Sequence, residues 1–501
     1  MKTISYKLSK PKHFYFVLLL FFSLSCREDI PEAESLPILQ AASLDAEAAD
    51  WKTVLTADYL NELALEAPAP INSSTYQDEL QELVNLTQAR TKAQEDAFRF
   101  WAAGGVVRWN QIARDLVAKY NVAPNVGVAP DPARPFANPP FAVRAYALLS
   151  VAQQDALITA WQLKFEHMRP SPVTTEPAIR SMQPAEGLPS FPSEHSAMAE
   201  ASYRVLSYLF PADEAFLKAK ATEHAQSMQW AGVNTQSDVE AGKSIGSLVA
   251  EKVINYGKAD RMDQADDPQG NHLAYFDIAN QIQLPWECLE KPLRRPMLPF
   301  YSTVKTWFDS TAIYATLPPP PPAMGSAEFE ADIKSVRAYS DKRTREQWRI
   351  ADYWADGGGT DTPPGHWNRI AEDLILEAKL SEVRTARTYS VMNRAMMDGG
   401  ILCWYAKYKY YLPRPSQIDP NIKIATGIPN FPSYTSGHST FSSAGGTVLG
   451  YLFPEHREEL IKMYEEAGIS RVYGGIHYNC DNIAGRVSGV AIGQIALEEA
   501  L

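Results

Sequence analysis

At 501 residues the chain has room for more than one core, and 45% hydrophobic with 21% charged residues excludes wholesale disorder. A net charge of -12 argues against nucleic acid as the main partner, so any basic cluster is a local exception on an acidic molecule. The four cysteines show no metal-like spacing and give no disulfide framework, because Cys288, Cys403 and Cys480 are all that follow Cys26.

The chain begins like an export signal. Lys2, Lys7, Lys10 and Lys12 make a positive start, and residues 14–24 form an apolar run too short to span a bilayer comfortably. Ser23-Leu24-Ser25-Cys26 then resembles a bacterial lipoprotein cleavage site, with Cys26 as the lipidated first residue and residues 27–45 as a tether. This reading predicts an exported protein anchored to the outer membrane, touching membrane only through Cys26; a plain signal peptide is the alternative.

Amphipathic helices are expected over 76–103 and 327–356, and buried helices over 142–167 and 383–410. The last of these carries Trp404 and Lys407 on one face. Another helix starts at Ser436 and ends near Pro454, the next ends near Gly468, and the last runs from about Asn479. No alternating strand pattern appears, so the fold class is all-α. Residues 258–326 are proline-rich and read as a linker or wrapping segment, with 318–322 extended as polyproline II. That leaves one helical bundle over 46–257 and a second over 327–501. His366, in the glycine- and proline-rich loop 357–367, lines the pocket mouth or is structural.

The two bundles are copies. Glu194-His195 with Tyr208-Leu209-Phe210-Pro211 parallels Gly437-His438 with Tyr451-Leu452-Phe453-Pro454, 243 positions later. Trp109-Asn110-Gln111-Ile112-Ala113 similarly echoes Trp367-Asn368-Arg369-Ile370-Ala371. Lys164 and Arg169-Pro170 look like Lys407 and Arg414-Pro415 with a gap two residues shorter. The first copy has lost chemistry: Met228 stands for Arg471, Asn234 for His477 and Glu194 for Gly437. His195 is left without a partner to serve. This half is expected to buttress the other, a vestigial small-anion or halide site being the alternative.

The second copy keeps three clusters: Lys407 with Arg414-Pro415, Ser436-Gly437-His438, and Ser470-Arg471 with His477 and Asp481. Two arginines and a lysine supply charge and donor geometry for an oxyanion. The Ser436 hydroxyl and Gly437 N–H offer donors at a helix start, where glycine permits close approach of backbone to anion. Two histidines and an aspartate add a ligand or nucleophile, a proton carrier and a group to hold a ring in its working tautomer.

These motifs resemble the signature of the vanadium-dependent haloperoxidase and type 2 phosphatidic acid phosphatase superfamily, in its soluble bacterial haloperoxidase-like branch. The resemblance implies two packed helical bundles, vanadium chloroperoxidase-like. It implies that Lys407, Arg414 and Arg471 neutralise the oxygens of vanadate or phosphate, and that Ser436 and Gly437 hydrogen-bond them. His477 would bond vanadium or attack phosphorus, His438 would be the acid–base residue, and Asp481 would orient His477. Trp404 and Phe431 match places where vanadium chloroperoxidases and some bacterial iodoperoxidases carry Trp and Phe; core packing is the other reading. The implied cofactor is vanadate, and the implied reactants are hydrogen peroxide, a halide and small organic acceptors. Lys407 would then polarise the peroxide. A soluble acid phosphatase working on a phosphomonoester through a phosphohistidine is the alternative, and a non-catalytic surface lipoprotein is the third. Homo-oligomerisation is left open.

Overall fold

In the computed structural model, residues 36–122, 138–183, 187–290 and 293–501 are described, and among them every regular element is a helix. The expectations for Cys26 and the export signal lie outside these residues. The longer helices of the first half are α1 (Ser74–Gln88), α2 (Lys92–Trp101), α3 (Gly105–Tyr120), α4 (Pro139–His167), α5 (Glu194–Leu209), α6 (Glu214–Trp230) and α7 (Gln236–Lys258). The second half repeats them as α8 (Ala327–Lys342), α9 (Arg345–Tyr353), α10 (Thr362–Ala378), α11 (Glu382–Tyr410), α12 (Gly437–Leu452), α13 (Arg457–Tyr473) and α14 (Asn479–Ala500). From α4 to α7, each start recurs 243 positions later, at 382, 437, 457 and 479. Among the described residues no helix is long and apolar enough to cross a membrane.

The centre is made by α4 and α11, each of 29 residues, which pack on one another and carry α5 with α7 and α12 with α14 on their flanks. α4 is buried nearly all round from Ala142 to Lys164, as a central helix must be. One apolar core runs through both halves, from Trp101, Trp109 and Leu149 to Trp367, Met392 and Phe441. A polar seam crosses it: Asn110 Nδ2 donates to Asn368 Oδ1 at 2.8 Å, and Asn368 Nδ2 to Asn393 Oδ1 at 2.8 Å. The paired helices approach closely at glycines. A Cβ on Gly485 would meet the Ser436 carbonyl at 2.7 Å, and one on Gly242 would meet that of Ser193 at 2.2 Å.

The segments expected as single helices over 76–103 and 327–356 are each two. Thr91 and Thr344 interrupt them with capping boxes, reciprocated by Gln94 and Gln347, and the capped N-terminus outweighs continued periodicity. The helix expected to stop near Gly468 continues to Tyr473, because Gly468 is a contact point where a Cβ would sit 2.1 Å from Asn482 Oδ1. The tether is shorter than expected. Leu39 N–H donates to the Ala102 carbonyl at 2.7 Å, and buried Asp45 pairs with Arg384 at 2.6 Å. The gap invoked at Arg169 does not exist either. Ser190 N–H donates to the Arg169 carbonyl as Ser433 N–H does to that of Leu412, so Arg169 matches Leu412 and Ser171 takes the place of Arg414.

The expected linker holds a repeated strap. Val54 and Leu55 N–H donate to the buried Asp155 carboxylate at 2.6 and 3.0 Å. Trp307 and Phe308 N–H donate to Asp398, the α11 counterpart of Asp155, at 3.0 Å each. A Lys-Thr pair precedes both straps, and each threonine hydroxyl donates to the carbonyl two residues on at 2.8 Å. The second copy therefore begins inside the proline-rich segment. Burial pushes Asp398 up to about 7, against the pull of its backbone donors.

Asp398→Ala, which strands two buried N–H groups, is expected to lose about 2–4 kcal/mol of stability in urea denaturation. Asp398→Asn, which keeps an acceptor and removes a charge burial disfavours, is expected to lose less than about 1 kcal/mol. Equal losses would show that the strap does not hang on this acceptor.

Candidate active site

Four chain segments converge on one buried cluster. The last turns of α11 present Trp404 and Lys407, one helical turn apart. Tyr411, with φ of 49°, ends the helix and turns the chain toward Arg414. Residues 431–436 form an irregular, bent segment that leads into α12, whose N-cap is Ser436. Arg471 sits in the last turn of α13, and a turn through Gly475 at φ of 78° brings His477 to the start of α14. There Asp481 caps the helix by accepting from Tyr478 N–H at 3.1 Å.

His477 is held from both sides. Its Nδ1 lies 2.8 Å from Asp481 Oδ2, which also accepts from the Ser433 hydroxyl at 2.5 Å. The carboxylate fixes the proton on Nδ1 and leaves the Nε2 lone pair facing Arg414 Nη1 at 3.0 Å. Burial, then the charges of Arg414, Lys407, His438 and Arg471, hold the ring well below the usual imidazole range, so it is neutral. Burial raises Asp481 to about 6.

The three cations are almost wholly enclosed, with Lys407 and Arg414 0% and Arg471 1% exposed. Among the described residues none of them forms a salt bridge. Lys407 Nζ donates to the carbonyls of Pro432 and Ser433 at 3.1 and 2.9 Å, and to that of Thr435. Arg414 donates to Phe431 and Ile476 carbonyls, the latter at 2.7 Å, and Arg471 to the Ala351 carbonyl. Burial drags Lys407 down to about 7 and both arginines to about 10. Two rings wall the cluster: Trp404 and Phe431 lie 5.1 Å apart, with Lys407 Nζ 5.0 Å and Arg414 Cζ 5.1 Å from the Phe431 ring.

His438 stands differently. Its Nε2 is buried without a hydrogen-bond partner. Burial, then Arg471, lowers it to about 3, opposed by Asp356 and the backbone of Trp354 and Ala355. Arg471 likewise touches the cluster by charge, not by a bond to His477. The Ser436 oxygen accepts the cap from Ser439 N–H at 3.3 Å, which leaves its hydroxyl proton to donate. Gly437 opens α12, but a Cβ there would meet only Phe441 and Trp404 at ordinary contact distance, so the fold itself does not demand glycine. Cys403 and Cys480 are free thiols, Cys403 buried and Cys480 only partly so.

Three supporting residues escaped the sequence reading. Ser433 was discoverable, since Ser190 occupies the same place in the first copy. Asp356 gave no signal because Ala103 stands at its place in that copy, between Trp101-Ala102 and Gly104-Gly105. It is buried, accepts from His366 at 3.1 Å, and raises the proton affinity of both Arg471 and His438. His366, stacked 4.4 Å from Trp354, is thus a support for Asp356. The Met297 carbonyl, from the proline-rich segment, accepts from Trp404 Nε1 at 3.1 Å and Tyr408 Oη at 2.7 Å.

Residues 390–498, which contain all of these motifs, match the PAP2 superfamily. A non-specific acid phosphatase of Salmonella typhi is 29% identical over 182 residues, 34% of this chain and 68% of that protein. Vanadium chloroperoxidase of Curvularia inaequalis is 25% identical over 194 residues, so the match spans 30% of this chain and only 32% of the chloroperoxidase. The crystal structure of the first bacterial vanadium-dependent iodoperoxidase superposes with a TM-score of 0.59, covering 78% of this chain and 96% of that one at 22% identity, a likeness of fold. The second half of the chain therefore carries a PAP2-superfamily segment, set in an all-helical fold of the vanadium haloperoxidase kind.

Proposed function

We propose that the protein is a vanadate-dependent haloperoxidase that oxidises halide with hydrogen peroxide to hypohalous acid. The observation that carries this reading is the set of three enclosed cations without a carboxylate partner, arranged about a neutral imidazole with its Nε2 lone pair directed inward. Buried charge of one sign requires a counter-charge, and a tetrahedral oxyanion of two or three charges is the ligand this donor set fits. The orphaned His438 Nε2 fits too, as a group waiting for a partner.

Vanadate, when bound, supplies a Lewis-acid centre that activates peroxide without changing oxidation state. The chain does the rest. Lys407, Arg414 and Arg471 balance charge, while the Ser436 hydroxyl and Gly437 N–H add donors at the α12 N-terminus. His477 Nε2 would be the atom that holds vanadate, kept in that tautomer by Asp481. His438 Nε2 accepts a proton and returns it. Trp404 and Phe431 keep bulk water off the cations. With a lipid anchor at Cys26, this chemistry would take place at the outer membrane.

A second reading has its own support, the 29% identity to an acid phosphatase. In it the His477 lone pair attacks phosphorus, His438 protonates the leaving alkoxide, and water resolves the phosphohistidine.

One assay separates the two. The protein with orthovanadate is tested for peroxide-dependent halide oxidation and for p-nitrophenyl phosphate hydrolysis. Halide oxidation that falls on the order of 100-fold or more in His477→Ala, and changes by less than about twofold in Asn234→Ala, is expected. Hydrolysis that vanadate inhibits, with no halide oxidation, would establish the phosphatase; neither activity would sink both readings.

Protonation gives an independent check. Lys407 at about 7 and His438 at about 3 are depressed by burial among cations, and a bound anion raises both. Raised values mean more bound protons, so phosphate binding near pH 8.5, where free phosphate is already a dianion, is expected to take up protons. Calorimetry in two buffers of different ionisation enthalpy measures this; net release would contradict the charge arrangement.

A further inference from the structure

The first half keeps the outline of the same cage, and the cage is filled from within. A pocket opens there, lined by Lys164, Ser171, Ser190, Glu194, His195 and Asn234, the counterparts of Lys407, Arg414, Ser433, Gly437, His438 and His477. The cations have gone from three to one, with Ser171 for Arg414 and Met228 for Arg471. Asn234 is tied into the wall, accepting from the Ser193 hydroxyl at 2.8 Å and donating to the Ser190 carbonyl at 3.1 Å.

One acid pairs with the cation that remains in the lining, while buried Arg169 is paired separately with Glu79 and Asp238, at 3.3 and 3.5 Å. Glu194 Oε2 lies 2.8 Å from Lys164 Nζ, and the pair is buried, at 8% and 1% exposed. His195 has a partner after all. Trp109 Nε1–H donates to His224 Nδ1 at 3.2 Å, so His224 carries its proton on Nε2 and gives it to His195 Nδ1 at 3.1 Å. The His195 proton is thereby placed on Nε2, 3.9 Å from Glu194 Oε1. Burial alone would raise the Glu194 carboxyl, but Lys164 and then His195 and its own N–H hold it below its ordinary value, so it is an anion.

We propose that Glu194 is a built-in anion: its carboxylate takes the place in the first-half cage that a free oxyanion takes in the second, making this pocket a latent site for small oxyanions that is closed by its own side chain. The comparison rests on the anion-binding reading of the second half. The glutamate grows from the residue where α12 has Gly437, at a helix start that already favours negative charge. Its reach sets the oxygens against the lysine, and removing the side chain leaves a hole with an unpaired buried ammonium at its floor.

The test counts phosphate sites by titration calorimetry in the whole protein. Glu194→Gly is expected to bind one equivalent more than the unaltered protein, and the extra equivalent is expected to vanish in Glu194→Gly/Lys164→Met. The increment is read whatever the starting count. A wrong reading of the second half thus shows as a starting count of zero, and a wrong proposal as no increment. Acetate, a small carboxylate, is expected to raise the melting temperature of Glu194→Gly more than chloride does at equal ionic strength. Should that variant fold only with additive, recovery in acetate and not in chloride supports the proposal, and equal recovery in both overturns it. Loss of a phosphate equivalent from the unaltered protein on Lys164→Met alone would also overturn it, because the site would then already be open.

Discussion

An ammonium and two guanidiniums taken out of water without a carboxylate against them impose a desolvation penalty of several kcal/mol each. The second half accepts that penalty at Lys407, Arg414 and Arg471 and offsets it mainly with backbone carbonyls, helped by the Ser470 hydroxyl and the more distant charges of Asp481 and Asp356. Such an arrangement is stable in company with an anion, and the surrounding residues make sense around one. Asp481, whose charge favours the protonated Lys407 and Arg414, is bonded to His477, Ser433 and a helix start and forms no ion pair with either cation. Its commitment is what leaves the other imidazole nitrogen unprotonated, with its lone pair accepting from Arg414. The enclosed charge and the fixed imidazole tautomer thus answer to a single electrostatic demand.

The same demand explains the difference between the halves. Where two of three cations are absent, one carboxylate suffices, and the first half supplies it at Glu194. The lost arginines and the gained glutamate are one change seen twice, since either alone would leave a buried charge without a partner. The role of the first half in the fold is separate from its charges. It gives α4 to the centre, lends Asn110 to the seam with Asn368, and shares one core with the second half.

Most of the architecture could be read from the residues because it depends on periodicity and repetition. The helices, their order and the 243-residue offset are local or self-comparing signals, and α4, α11 and α14 began within a few residues of expectation. Single-position errors arose where two signals compete. Thr91 and Thr344 cap within long amphipathic runs, and Gly468 looks like a terminator but serves a helix contact. Arg169-Pro170 imitates Arg414-Pro415 two residues out of step, and only backbone hydrogen bonding fixes the register. The motif residues of the site were legible since charged groups at fixed spacing have few structural uses. Asp356 and the Met297 carbonyl were not: the first is matched by Ala103, so comparing the copies marks no charge there, and the second acts through backbone, which no side-chain pattern records.

The paired straps bear on how such a chain can diverge. Asp155 and Asp398 occupy the middle of the two central helices and each receives two main-chain donors from a segment lying before the longer helices of its own repeat. Each copy is thus buckled shut by residues upstream of its helices, so the unit that was doubled was a belted one. A belt fastened through peptide groups is indifferent to which side chains line the cavity it encloses. That indifference let one chamber of the molecule abandon its reactive groups while its walls stayed where they were.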